Sequence, residues 1–308
     1  MISRFFNKSK PIHNVIVLLL IVLVFVSVKW EYLFSGIGVK EILQQVFFLL
    51  VSLFSIFLLE FIVTKNNLSK KNAYTILIYG LLIAILPYGL KNSYVLLSNI
   101  FILFALRRLI TLQSKLEIKK KLFDATFWII LASLLNFWAI LFLFLVVIAL
   151  LYSAENNSKN WLIPVMTILT VAILYISFQV IVNDQWIAED FSNIPSLNFD
   201  FSAYNSSENI LSITLVFSML IWSSIYYFKK TKEVNRTSKS AFILVGITAL
   251  IALVISIISP QKDGSEFFYL FAPLAIIMTN YLEQVSDVRF KEVLLLILVL
   301  APILNLVL

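Results

Sequence analysis

The chain of 308 residues is 61% hydrophobic and only 13% charged, with a net charge of +7. Water-soluble domains run about 45–50% apolar and about 25% charged, so this chain reads as an all-helical integral membrane protein, one membrane domain over 1–308. It has no cysteine and one histidine, which excludes disulfides, thiolate chemistry and a His-rich metal cluster; no metal, cofactor or nucleic-acid partner is expected, the positive excess being the usual signature of membrane orientation.

The amino-terminal tail carries Arg4, Lys8 and Lys10 ahead of an apolar run from His13 to Val28. That run ends in Val28-Lys29-Trp30-Glu31 rather than in the small residues of a cleavage site, so an uncleaved first span is expected, with Lys29 snorkelling to the far interface. Residues 30–42 form the first outer segment. A second span over 43–64 returns to Lys65, Lys70 and Lys71. A third, 73–90, is interrupted by Pro87 and Gly89 and turns at Lys91-Asn92. The fourth, 93–106, reaches Arg107-Arg108 and a basic stretch through Lys121.

The next apolar run, 122–153, is too long for one span of about 20 residues and short for two. A single crossing would set the run Lys229, Lys230, Lys232, Arg236 and Lys239 opposite the equally basic 107–121 loop, against the positive-inside rule. Two short helices turning near Asn136 put all of the 24 lysines and arginines on one side except Lys29, Lys40, Lys91 and Lys262. A span over 161–182 then leads to the longest outer segment, 183–209. It holds Asp184, Glu189, Asp190, Asp200 and Glu208 with no basic residue. Spans over 210–228, 240–259 and 267–283 follow, and a last apolar run, 293–308, crosses once more or lies re-entrant. The expectation is about eleven crossings, amino terminus inside and carboxyl terminus outside.

Few residues stand out as candidates for chemistry. Glu31, between Trp30 and Tyr32, is a catalytic carboxylate at the outer face or an interfacial acid in the aromatic belt. The acids of 183–209 match no metal-binding spacing. That segment also carries Trp186, Phe191, Phe199, Phe201 and Tyr204, which suit the headgroup layer or a partner. Glu60 is an intramembrane acid within reach of the inner interface. Asn99, Gln179 and Asn280 lie nearer their span centres and suit helix-to-helix hydrogen bonds. Asp124 fits the positive end of a helix dipole, and His13 an interfacial position.

Three stretches resemble the membrane glycosyltransferases of the GT-C class, which move sugars from polyprenyl-phosphate donors. They are LFDATFWIILASLLNFWAILFLFLVVIALL with its basic approach, ILPYGLKNSYVLLSNIFILFALRRL, and SEFFYLFAPLAIIMTNYLE. The opening MISRFFNKSKPIHNVIVLLL and the central pair also resemble a polytopic inner-membrane protein family of Bacteroidota. The resemblance implies a GT-C-like helix arrangement in a bacterial inner membrane and a catalytic acid in the first outer loop, where this sequence offers Glu31 and Glu41. It also implies a polyprenyl-phosphate lipid as partner. The sequence departs from that pattern in its arginines: Arg4, Arg107, Arg108, Arg236 and Arg289 all fall on the inner side. Holding a phosphate outside is left to lysine, with Lys91 and Lys262 the candidates.

The expected function is therefore a non-catalytic membrane subunit of a cell-envelope assembly or secretion complex. Its span faces and the aromatic residues of 183–209 would dock a protein partner in the membrane or periplasm. The alternative is an active transferase with Glu31 as general base and Lys91 or Lys262 on the phosphate. A transporter, with Glu60 facing an enclosed polar cavity and Pro87–Gly89 breaking a helix, stands third.

Overall fold

A computed structural model describes residues 1–35, 38–152, 157–184 and 195–305. Among the described residues the chain is helical, with no strand. The helices are α1 (Ile2–Phe6), α2 (Pro11–Val28), α3 (Trp30–Leu33), α4 (Val39–Lys65), α5 (Tyr74–Ile85), α6 (Ser93–Ile110) and α7 (Ile118–Leu135). They continue as α8 (Leu143–Tyr152), α9 (Ser158–Asn183), α10 (Ser207–Glu233), α11 (Arg236–Ile258), α12 (Phe268–Gln284) and α13 (Val288–Asn305). Short 3-10 turns interrupt the series at Pro87–Lys91, Thr111–Ser114, Phe137–Phe142, Ser202–Tyr204 and Ser265–Phe267.

Among the described residues, seven helices are long and apolar enough to cross a membrane: Pro11–Val28, Val39–Lys65, Ser93–Ser114, Ser158–Asn183, Ser207–Glu233, Ser238–Ile258 and Ser265–Gln284. The chain is thus a multi-pass membrane protein. The other four expected segments are helical too, but each falls short on length or charge. α5 has 12 residues, and Phe137–Tyr152 is also short. α7 opens on Lys119, Lys120 and Lys121, and α13 on Arg289, Lys291 and Glu292.

At the centre of the bundle lie α12 and α5, every residue of α5 being buried. Lipid tails give helices no hydrophobic reason to associate, so packing and a few polar bonds hold them. Thr75 donates to Thr279 at 3.0 Å, and Asn280 donates to the Leu68 carbonyl at 2.9 Å. Trp222 donates to the Tyr281 hydroxyl at 2.6 Å. Asn99 reaches the Tyr79 hydroxyl at 3.5 Å. α9 lies at the periphery, with most of its length exposed.

Pro87 and Gly89 shape the break after α5. Proline supplies no N–H to continue the helix. A Cβ on Gly89 would stand 2.6 Å from the Phe268 ring and 2.8 Å from the Gly264 carbonyl oxygen, so only glycine admits this backbone approach.

Paired contacts fix the direction of successive helices. α6 and α7 run antiparallel: Arg108 pairs with Asp124 at 2.8 Å, and ten residues back along α6 the Ser98 hydroxyl donates to the Ala132 carbonyl at 2.9 Å. Tyr269 donates to Ser98 at 2.7 Å, and the Phe142 ring packs on Tyr269 with centroids 5.6 Å apart. Ala132 and Phe142 are therefore brought near one another, with a turn in the chain between them. The turn is made by Asn136, whose extended backbone ends α7 and whose side chain accepts the Trp138 N–H.

Two ends of the bundle follow. One gathers the start of α1, the 66–73 loop, the turn after α6 and the ends of α10 and α12. There Glu292 accepts from the Met1 ammonium and from Ile2 and Ser3, capping α1. The other end gathers Pro87–Lys91, 198–208 and 258–267. Asn305 of α13 reaches Ile85 and Ser212 near this second end, so α13 runs from the first end to the second.

Candidate functional site

The second end holds the residues that the sequence marked, and Asn92, beside Lys91, donates to Gln261, beside Lys262, at 3.0 Å. Glu31 is exposed on α3, and no hydrogen bond to its carboxylate exists among the described residues. Lys91 is exposed, its ammonium 5.0 Å from the Tyr88 ring centroid. Lys262 donates to the carbonyls of Ser256 and Ile257 at 2.9 and 2.7 Å, so it closes the carboxyl end of α11. Its ammonium also lies over Phe201 at 4.7 Å, and burial lowers its pKa. Both lysines are thus engaged within the chain.

Of the aromatic residues expected to dock a partner, Trp186 and Phe191 lie outside the described residues. Phe199 and Phe201 are 60% and 44% exposed. They ride on a segment tied down at several points: Asn198 donates its backbone N–H to Ile258 and its side chain to Pro260, and Asp200 accepts from Ser202. Tyr204 differs from expectation. It is buried, packs on Phe267 with centroids 6.1 Å apart, and its hydroxyl accepts the Gly264 N–H. It anchors the segment instead of offering a surface.

Two buried ionisable groups at this end were passed over or misplaced by sequence reasoning. Lys29 does not snorkel outward: it is 7% exposed, donates to Gln45 at 2.6 Å and Ser93 at 3.4 Å, and sits against Phe25 and Phe48. Burial lowers its pKa. Glu266, in the turn between α11 and α12, is buried, and no hydrogen bond reaches its carboxylate among the described residues. Elsewhere, Glu60 accepts from Asn14 at 2.8 Å, which makes it a helix-to-helix contact. Asp124 answers to Arg108 in place of a helix dipole.

The first end carries the more organised chemistry. A cavity of about 470 Å³ opens between the carboxyl end of α4, the Thr111–Ser114 turn, the start of α7 and Ser238 at the start of α11. Lys65, Arg107, Arg108 and Lys121 line it, with Asn67, Thr111 and Ser114 among the neutral polar groups. The Arg107 guanidinium lies 4.7 Å and the Lys65 ammonium 5.3 Å from the Phe61 ring centroid. Lys121, 8% exposed, donates to the Thr111 carbonyl at 2.8 Å and to Ser114 at 2.6 Å. Burial lowers the Lys121 pKa, with Arg108 and Lys65 adding to it and Glu117 opposing. In sequence these cations are accounted for as topology signals, with contact to anionic lipid heads or a cytoplasmic partner the lesser reading. Their convergence depends on α7 folding back along α6.

A family model described as a family of unknown function (DUF6427) matches residues 1–306. No curated protein and no solved structure matches the chain.

Proposed function

We propose that this chain, which belongs to the DUF6427 family, is a non-catalytic membrane subunit of a cell-envelope assembly or secretion complex. It lies in the bacterial inner membrane with its eleven apolar helices crossing in a GT-C-like arrangement, amino terminus cytoplasmic and carboxyl terminus periplasmic. The supporting observation is the strapped segment 198–204. The Asn198 N–H bonds Ile258 of α11 and the Tyr204 hydroxyl accepts the Gly264 N–H, while Phe199 and Phe201 are exposed, a fixed presentation of aromatic surface at a helix-bundle end. Lys262, taken up by the carbonyls of Ser256 and Ile257, agrees with a scaffold that binds without reacting.

The test is co-purification of the tagged chain from its own membrane in mild detergent, comparing wild type with Phe199→Ser/Phe201→Ser. A stoichiometric partner retained by the wild type and lost from the variant is expected. A partner profile identical in the two would overturn the reading.

An active transferase on a polyprenyl-phosphate-linked substrate is the second reading. The observation favouring it is Lys29, a buried ammonium two residues before Glu31. Under that reading Glu31→Gln abolishes the physiological output; under the subunit reading the output is unchanged.

A further inference from the structure

We infer that the cavity between α4, α6, α7 and α11 is a binding site for a phosphate-bearing anion, supplied by an acidic lipid headgroup or by a soluble phosphate compound. The inference goes beyond the subunit reading and does not depend on it. Four cations, Lys65, Arg107, Arg108 and Lys121, share one concave wall. Among the described residues the carboxylate paired with any of them is Asp124, on Arg108; Glu117 acts on Lys121 from a distance and stands 4.0 Å from Lys120. The wall therefore keeps an excess of positive charge that a bound anion would neutralise.

Lysines and arginines that only set membrane orientation need lie no deeper than the loop surface. Lys119 and Lys120 do so, both exposed. The cavity cations are instead positioned. Phe61 braces Arg107 and Lys65, while Lys121 is drawn under the Thr111–Ser114 turn. The loops beside the cavity hold Asn67, Lys115 and Glu117 in the left-handed region, at φ of 50°, 55° and 51°. Such backbone is unfavourable for residues other than glycine and persists where the surroundings require it. Arginine adds a planar fork that matches two phosphate oxygens, and lysine a compact charge. At about 470 Å³ the space is in the range of small-ligand sites and admits a phosphorylated headgroup.

The experiment uses the full chain in phosphatidylcholine nanodiscs and measures binding of inorganic pyrophosphate at fixed ionic strength. A second arm measures retention of phosphatidylglycerol, from mixed nanodiscs, by native mass spectrometry. Wild type is compared with Lys65→Gln/Arg107→Gln, and with Lys119→Gln/Lys120→Gln, which removes the same charge outside the cavity. Saturable binding in either arm is expected, weakened at least about tenfold by the first pair, as loss of charge-assisted hydrogen bonds implies, and within about twofold of wild type for the second. Pyrophosphate binding identifies a soluble source and selective phosphatidylglycerol retention a lipid source; each supports the site. Should Lys65→Gln/Arg107→Gln misfold, Gln113→Ala, an uncharged change in the same wall, takes its place with the same sign of effect. Absence of saturable binding in both arms, or equal weakening by both lysine-containing pairs, would overturn the inference.

Discussion

Glu283→Ala is expected to lower the stability of the purified protein by about 3 kcal/mol, the loss typical when one partner of a buried ion pair is removed. The Glu283 side chain is only 3% exposed and pairs with Lys230 at 3.2 Å. It also accepts the Lys70 N–H and the Asn72 amide, each at 2.7 Å. Removing it leaves a mostly buried ammonium and loosens the 66–73 loop from the end of α12. Glu283→Gln keeps an acceptor for the two neutral donors and is expected to lose roughly half as much, since neutral hydrogen bonds contribute about 1 kcal/mol each. Denaturant unfolding in detergent, followed by tryptophan fluorescence, reads both. An alanine variant within about 0.5 kcal/mol of wild type, the range of ordinary surface substitutions, would show that the pair does not hold this end together.

Gly89→Ala is expected to cost about 1–3 kcal/mol through overpacking. The new methyl would meet the Phe268 ring at 2.6 Å and the Gly264 carbonyl at 2.8 Å. Phe268 is itself buried, and the second obstacle is backbone, so neither yields without moving the 258–267 loop. Gly246→Ala provides the contrast. Its methyl finds the Phe228 ring at 3.4 Å, and alanine gains up to about 1 kcal/mol of helix propensity over glycine. The same unfolding assay should therefore place the two glycine variants on opposite sides of wild type. Equal destabilisation would mean that close approach at Gly89 is not what the position requires.

The membrane class and the helices were legible because they rest on long apolar runs, whose signal survives without knowledge of neighbours. Overall hydropathy does not tell which of those helices sit at the centre. α12 and α9 are both apolar, yet α12 is buried from Phe268 to Leu282 and α9 largely exposed, a difference set by partners rather than composition. Four of the expected segments, α5, α7, Phe137–Tyr152 and α13, are helices without meeting the length and hydropathy of a span.

The candidate sites were less legible. Lys29 was expected at the interface because it ends an apolar run; Gln45 and Ser93, on two other helices, draw it inside. Tyr204 looked like its aromatic neighbours in 183–209, and only its contact with Phe267 and Gly264 separates it from Phe199 and Phe201. The cavity cations are spread from Lys65 to Lys121, and their convergence is a property of the tertiary fold. In sequence they are indistinguishable from Lys119 and Lys120.

The assignment of the two bundle ends to opposite sides of the membrane rests on the chain doubling back at Asn136. The absence of cysteine allows a direct test with Phe137→Cys, Lys119→Cys and Lys232→Cys, each labelled in intact cells by a membrane-impermeant maleimide. Phe137→Cys is expected to react from outside, with Lys119→Cys and Lys232→Cys protected until the membrane is opened. Labelling of Phe137→Cys and Lys232→Cys from the same side, or of Lys119→Cys and Lys232→Cys from opposite sides, would contradict the account.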